Sequence, residues 1–277
     1  MQLRLILLGS GQDGGRPQMG TPATGAQRSA SSIALVSDLW APLLFDASPD
    51  LRSQYRMLSE HTKPQGAEFE AIFITHAHMG HYAGLVHFGK EAANTSNVPL
   101  YADVTVLDFL SANEPWASLF TNGNLMPMSI PDSGVALDPV VVTPIPVPHR
   151  GEFTTTNAFS IVVDGSPWAL YLPDIDDWEA WPEAADVIAS HELCLLDATF
   201  GSADELPDRR ISDIPHPLVT DTVERFEDLI GGTQIVLTHL NHSNALNDPD
   251  STLSALAHAS GFTVGADGMV FPHGGRL

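Results

Sequence analysis

The segment AIFITHAHMGHYAGL, residues 71–85, constrains this chain more than any other. Its apolar start predicts a strand over Ala71–Thr75. In extended backbone alternate side chains share a face, so His76 and His78 point the same way. His81 follows three residues later, at the start of a predicted helix with Leu85 and Phe88 on one face. Three imidazoles thus gather where a strand ends and a helix begins, and open α/β sheets build their sites at the carboxyl ends of strands. Neutral imidazole is the commonest ligand for zinc and also suits iron. Three unrelated, separately satisfied histidines within six residues are the weaker explanation.

Apolar runs and helical patterns alternate along the rest of the chain. Strands are expected at Leu3–Leu8, Ile33–Val36, Leu43–Asp46, Val140–Ile145, Phe159–Val163, Trp168–Leu172, Leu193–Asp197 and Gln234–Leu237. Helices are expected to begin near Pro49, His81, Asp103, Trp178, Pro217 and Asp250. Asp176 and Glu179 have the spacing of a capping box for the Trp178 helix. In the last helix Asp250 is the expected cap, Leu253 and Leu256 the core face and Gly261 the stop. The pattern is that of an α/β protein, one domain over 1–277 whose two halves meet near residue 140.

The formal charge of −22, with only 12 Lys and Arg, excludes nucleic acid as the expected partner, because phosphate contacts need cationic side chains. No apolar run reaches 18 residues, so no membrane span is expected. The apolar start MQLRLILLGSG reads as a first strand and not a signal peptide. The single cysteine, Cys194, lies in an apolar run and reads as a buried small hydrophobe. A cytoplasmic location and a small-molecule substrate are the resulting expectations, with an oligomer such as a dimer left open. Trp40, Trp116, Trp178 and Trp181 line a pocket or fill the core, the core being the commoner use.

GSGQDG after the first strand matches the spacing of a dinucleotide fingerprint. That fingerprint needs a helix directly after it to hold a pyrophosphate. GRPQMGTPATGAQRSASS has no helical period, so the segment reads as a loop. Arg16 and Arg28 in it either bind an anionic substrate or hold the loop.

HAHMGH resembles the HxHxDH metal motif of the metallo-β-lactamase superfamily, with Gly80 where the motif has aspartate. The resemblance implies an αββα sandwich, two mixed sheets face to face with helices outside. It also implies further ligands in chain order: His149 in VPHRGE, Asp174 in YLPDID and His239 in IVLTHLNH. Within the superfamily the chain is similar to the pyrroloquinoline-quinone biosynthesis protein B group almost end to end. The shared words are LGSG, GGRPQ, PHR, PDIDDW, DATF, DELP at Asp204–Pro207, IPHP at Ile214–Pro217, HLNH and DPDS. Two departures stand out. Met19–Ser32 lacks the group's frequent cysteine-rich zinc knuckle, and the paired HxH histidines, often absent from the group, are present.

The resemblance implies a metal-dependent hydrolase in which a metal-bound hydroxide attacks an ester, lactone, β-lactam or related bond. His76, His78 and His149 would hold one ion, His81 and His239 a second, with Asp174 bridging them and, as a catalytic residue, orienting the nucleophile. Zinc is the expected metal, as one or two ions with the second weaker for want of a carboxylate at Gly80; manganese or iron also suits the donors. His242 is read as a supplementary ligand of the second ion, proton donor, outer residue or turn residue, and His216 as pocket lining or a surface residue at a helix start. Asp176 is read as a cap. The alternatives are an iron-dependent oxidative enzyme of the biosynthetic group and a non-catalytic metal-binding relative.

Overall fold

The computed structural model describes residues 2–22, 25–62, 69–203, 205 and 215–275. Of the DELP and IPHP words, Asp204, Leu206, Pro207 and Ile214 lie outside the described residues.

Two seven-stranded sheets divide the chain. The first holds β1 (Leu3–Gly9), β2 (Ser32–Ser37), β3 (Leu43–Phe45), β4 (Ala71–Phe73), β5 (Val98–Ala102) and β6 (Leu125–Ser129). The second holds β7 (Val135–Leu137), β8 (Val140–Pro146), β9 (Asn157–Val163), β10 (Ser166–Leu172), β11 (Leu193–Asp197), β12 (Gln234–Thr238) and β13 (Thr263–Val264). The last strand, β14 (Val270–Pro272), returns to the first sheet and pairs antiparallel with β1. The changeover thus falls between Ser129 and Val135, slightly before the expected junction near 140.

Each sheet is antiparallel on one side and parallel on the other. In the first, β3, β4, β5 and β6 run parallel in order. In the second, β10, β11, β12 and β13 do the same. Strands in such a sandwich are buried on both faces, so alternate residues serve different layers. Leu5, Leu7, Ile33, Phe45 and Phe73 of the first sheet pack with Phe159, Ile161, Tyr171, Leu195 and Val236 of the second in one core layer. Ile6, Leu8, Ala34, Leu44 and Ile72 face outward beneath α1 (Leu51–Ser59), α3 (Val104–Ala112) and α4 (Trp116–Thr121). Leu170, Cys194, Ile235 and Leu237 face outward beneath α5 (Ala184–Ala189), α6 (Val219–Phe226) and α7 (Thr252–Ala259). This is the expected αββα sandwich. No described helix is long and apolar enough to cross a membrane.

Several local expectations are corrected. The helix predicted from Trp178 begins at Ala184, because Trp178 and Trp181 are buried core side chains. The capping box is absent: Glu179 N–H donates to Asp177 Oδ1, closing a turn. Ser251, not Asp250, caps α7 through Ser254 N–H, and Leu256 is exposed while Leu253 packs inward. Strands β5, β6, β7, β13 and β14 were not evident from the sequence pattern. GSGQDG is indeed followed by irregular backbone, with Gly11 bridging Ala30 and Leu240.

Candidate metal centre

Six loops bring the candidate residues to one end of the sandwich. His76 and His78 follow β4, and His81 lies in the short helix α2 (Met79–Tyr82) that begins right after. His149 follows β8, Asp174 follows β10, and His239 follows β12. His216 lies just before α6, and Asp13 in the loop after β1.

The donor atoms fall into two adjoining pockets. His76 Nε2 and His149 Nε2 lie 2.8 and 3.2 Å from His78 Nδ1. Tetrahedral nitrogens bound to zinc would sit about 3.3 Å apart, so this trio needs little adjustment to hold one. In the second pocket Asp174 Oδ2 lies 2.9 Å from His81 Nε2 and 3.2 Å from His239 Nε2, and Asp13 Oδ1 lies 3.4 Å from His81 Nε2. Asp174 also reaches the first pocket, 3.9 Å from His76 Nε2 and 3.7 Å from His149 Nε2.

The outward-facing ring nitrogens explain the arrangement. Asp46, at the end of β3, accepts from Thr75 N–H, Thr75 Oγ1 and Tyr171 Oη, and its Oδ2 lies 2.7 Å from His81 Nδ1. Thr75 Oγ1 spends its proton on Asp46, so it accepts from His76 Nδ1 at 3.0 Å. The second sheet repeats the device. Asp197, at the end of β11, accepts from Thr199 N–H, Thr199 Oγ1 and Ile175 N–H and faces His216 Nδ1 at 2.7 Å. Thr199 Oγ1 in turn accepts from His239 Nδ1 at 2.8 Å. His149 Nδ1 lies 2.7 Å from Asp176 Oδ1, so Asp176 backs a candidate ligand and caps no helix. Partners of this kind fix tautomer and ring orientation, leaving Nε2 for a metal. His78 is reversed: Nδ1 faces the pocket and Nε2 faces Glu152.

Electrostatics favour a cation. Burial alone would raise the Asp174 carboxyl, but His239, His149 and His81 hold it well below the usual carboxylate range. Burial pushes His76 well down and also lowers His78 and His239, favouring the neutral, ligating form. His81 is the exception: burial lowers it, but Asp46, Asp13 and Asp174 together raise it well above its ordinary value. Asp174 Oδ2, His81 Nε2, His239 Nε2 and Asp13 Oδ1 are all buried without a hydrogen-bond partner. A buried unsatisfied polar atom costs about 1–3 kcal/mol, and four of them converging is the pattern a bound cation resolves. The donor set therefore fits one or two metal ions.

The remaining sequence candidates divide. His216 is buried beside Asp174 and is no surface residue. His242 is half-buried in the turn after β12, where its carbonyl accepts from Asn247; it is not among the described residues whose donor atoms gather here. Arg16 donates to the Ala26 carbonyl within its own loop. Arg28 is buried and binds Asn247, Ser10 and the Gly265 carbonyl, so it ties that loop to the body. Asp13, Asp46 and Asp197 were not singled out by sequence. Each is a lone carboxylate just after or at the end of a strand, a position that turn and cap residues also occupy.

Residues 42–240 match the Beta-lactamase superfamily domain. The coenzyme PQQ synthesis protein B of Xanthomonas campestris pv. campestris (strain B100) is 28% identical, over 96% of this chain and 99% of that protein. Its counterpart in Cupriavidus necator is 27% identical over 95% and 97%. The crystal structure of zinc-bound PqqB from Methylobacterium extorquens superposes with a TM-score of 0.83 at 22% identity, covering 97% of this chain and 99% of that one. A diphosphatase of the PhnP family has the same fold, with a TM-score of 0.69 at 21% identity over 98% and 97%. With its family domain spanning both sheets and every candidate ligand from His76 to His239, the chain belongs to the β-lactamase superfamily.

Proposed function

We propose that this chain is a metal-dependent enzyme of the PQQ synthesis protein B type, acting oxidatively on a small molecule with iron in its second pocket. The observation that carries this reading is the set His81, His239 and Asp174 around one point. Imidazole and carboxylate donors that leave positions open suit iron and its reaction with oxygen. Similarity over nearly the full length to PQQ synthesis protein B supports the same branch.

When bound, such ions supply Lewis acidity and, for iron, reaction with oxygen. The chain's own residues do the rest. Asp174 stays ionised between the pockets. Asp46 and Asp197 fix four imidazoles from behind. Burial lowers His216, but Asp197 outweighs it and raises the ring, and the buried imidazole beside Asp174 is placed to take the donor role expected of His242.

Hydrolysis is the second reading, favoured by the intact trio His76, His78 and His149, which matches a three-histidine zinc site. The two are separated by loading the protein anaerobically with iron or zinc. Oxygen uptake with quinone-cofactor precursors is then followed beside hydrolysis of esters, lactones, β-lactams and phosphodiesters. Uptake by the iron form alone is expected. Hydrolysis without oxygen, and no uptake with either metal, would transfer the assignment to a hydrolase.

A further inference from the structure

The superfamily motif places a carboxylate at the fifth position of HxHxDH, and this chain has Gly80 there. The space is nonetheless filled. A Cβ built on Gly80 would lie 2.1 Å from Asp13 Oδ1 and 2.6 Å from Asp13 Cα. Real Cβ atoms do not approach other atoms so closely, and Cα belongs to backbone that no rotamer change can move. Asp13 therefore excludes any side chain at residue 80, and its own carboxylate occupies the volume that one would take. Its Oδ1 is buried without a hydrogen-bond partner, 3.4 Å from His81 Nε2. Asp13, His81 and His239 present donor atoms all within 4.8 Å of one another. His81 and His239 are each 1% exposed, and their Nε2 atoms are likewise unpartnered.

We propose that Asp13, carried in from the loop after β1, is a ligand of the second metal ion and replaces the carboxylate missing at Gly80. The second pocket then has four protein donors, Asp13, His81, Asp174 and His239. Gly80 is the accommodation that lets the foreign carboxylate in, and not a mark of decay. This rests on the metal-enzyme reading above.

The test is metal stoichiometry and affinity, which needs no substrate. Apo-protein is titrated with Mn2+, bound metal is counted after gel filtration, and electron paramagnetic resonance distinguishes a spin-coupled pair from an isolated ion. The wild type is expected to bind two equivalents as a coupled pair. Asp13→Ala should keep one and bind the second at least about tenfold more weakly. Asp13→Asn preserves shape and serves the same comparison should the alanine variant fail to fold. Two equivalents of unchanged affinity in both Asp13→Ala and Asp13→Asn would overturn the role of Asp13 while leaving the metal enzyme standing. A wild type that binds no metal would overturn both.

Discussion

The two sheets support the site with the same parts: one aspartate at a strand end, one threonine, two histidines. In the first sheet Asp46 orders Thr75, His76 and His81; in the second Asp197 orders Thr199, His239 and His216. Each aspartate is fully buried and engages four neighbouring groups. The difference lies in where the imidazoles go. Both rings held by Asp46 face candidate metal pockets, one in each, whereas Asp197 contributes only His239 to a pocket and keeps His216 beside it. One device thus orients two candidate ligands on one side, and a candidate ligand plus a ring beside the pocket on the other.

The strongest way to break this comparison is to remove what the halves share. Asp174→Ala takes a donor from both pockets, and elemental analysis after loading should find less than one equivalent with activity lost; full retention refutes the shared carboxylate. Next comes the asymmetry itself. Asp46→Asn should weaken both ions by about 10–100-fold, because outer partners of metal-bound histidines typically carry that much. Asp197→Asn should weaken only the second ion to that extent. Equal effects on both ions from the two variants would erase the distinction.

A smaller effect is expected at Gly80→Ala. The added methyl displaces the loop that carries Asp13, at a cost of about 1–3 kcal/mol typical of overpacking. Thermal melting should show the loss and metal titration should show it confined to the second pocket. The smallest effect concerns Cys194. Burial pushes its thiol up, so it should resist a thiol reagent at neutral pH until the protein unfolds. Rapid labelling of native protein would mean the second core layer opens.

The same asymmetry governs what the sequence disclosed. His76, His78 and His81 share one segment with strand and helix periodicity around them, so their convergence follows from local geometry. His149, Asp174 and His239 stand alone, and only the resemblance to the superfamily singled them out. Asp13, Asp46 and Asp197 escaped because a single carboxylate at a strand end resembles any turn residue; its partner is 35 positions away for Asp46 and 19 for Asp197. The helix expected from Trp178 failed for a related reason. Its tryptophans fit a helical face, but burial of both against α6 and its neighbours holds the segment irregular until Ala184. The missed strands β5 and β6 both contain proline; β5 alternates in burial but its sequence VPLYA has no polar residue to mark the period, and β6 is largely exposed.

The loop after β1 is anchored by the far end of the chain. Asp267 accepts from Ser10 N–H, Ser10 Oγ and Ser29 N–H, and β14 pairs with β1 immediately afterwards. During synthesis, residues 10–29 leave the ribosome more than 230 positions before this anchor exists. Asp13 is therefore among the first donors made and among the last to be held in place. If Asp13 is a ligand as proposed, metal capture in the second pocket would wait until residue 267 is in place, after the residues of the histidine trio have been made.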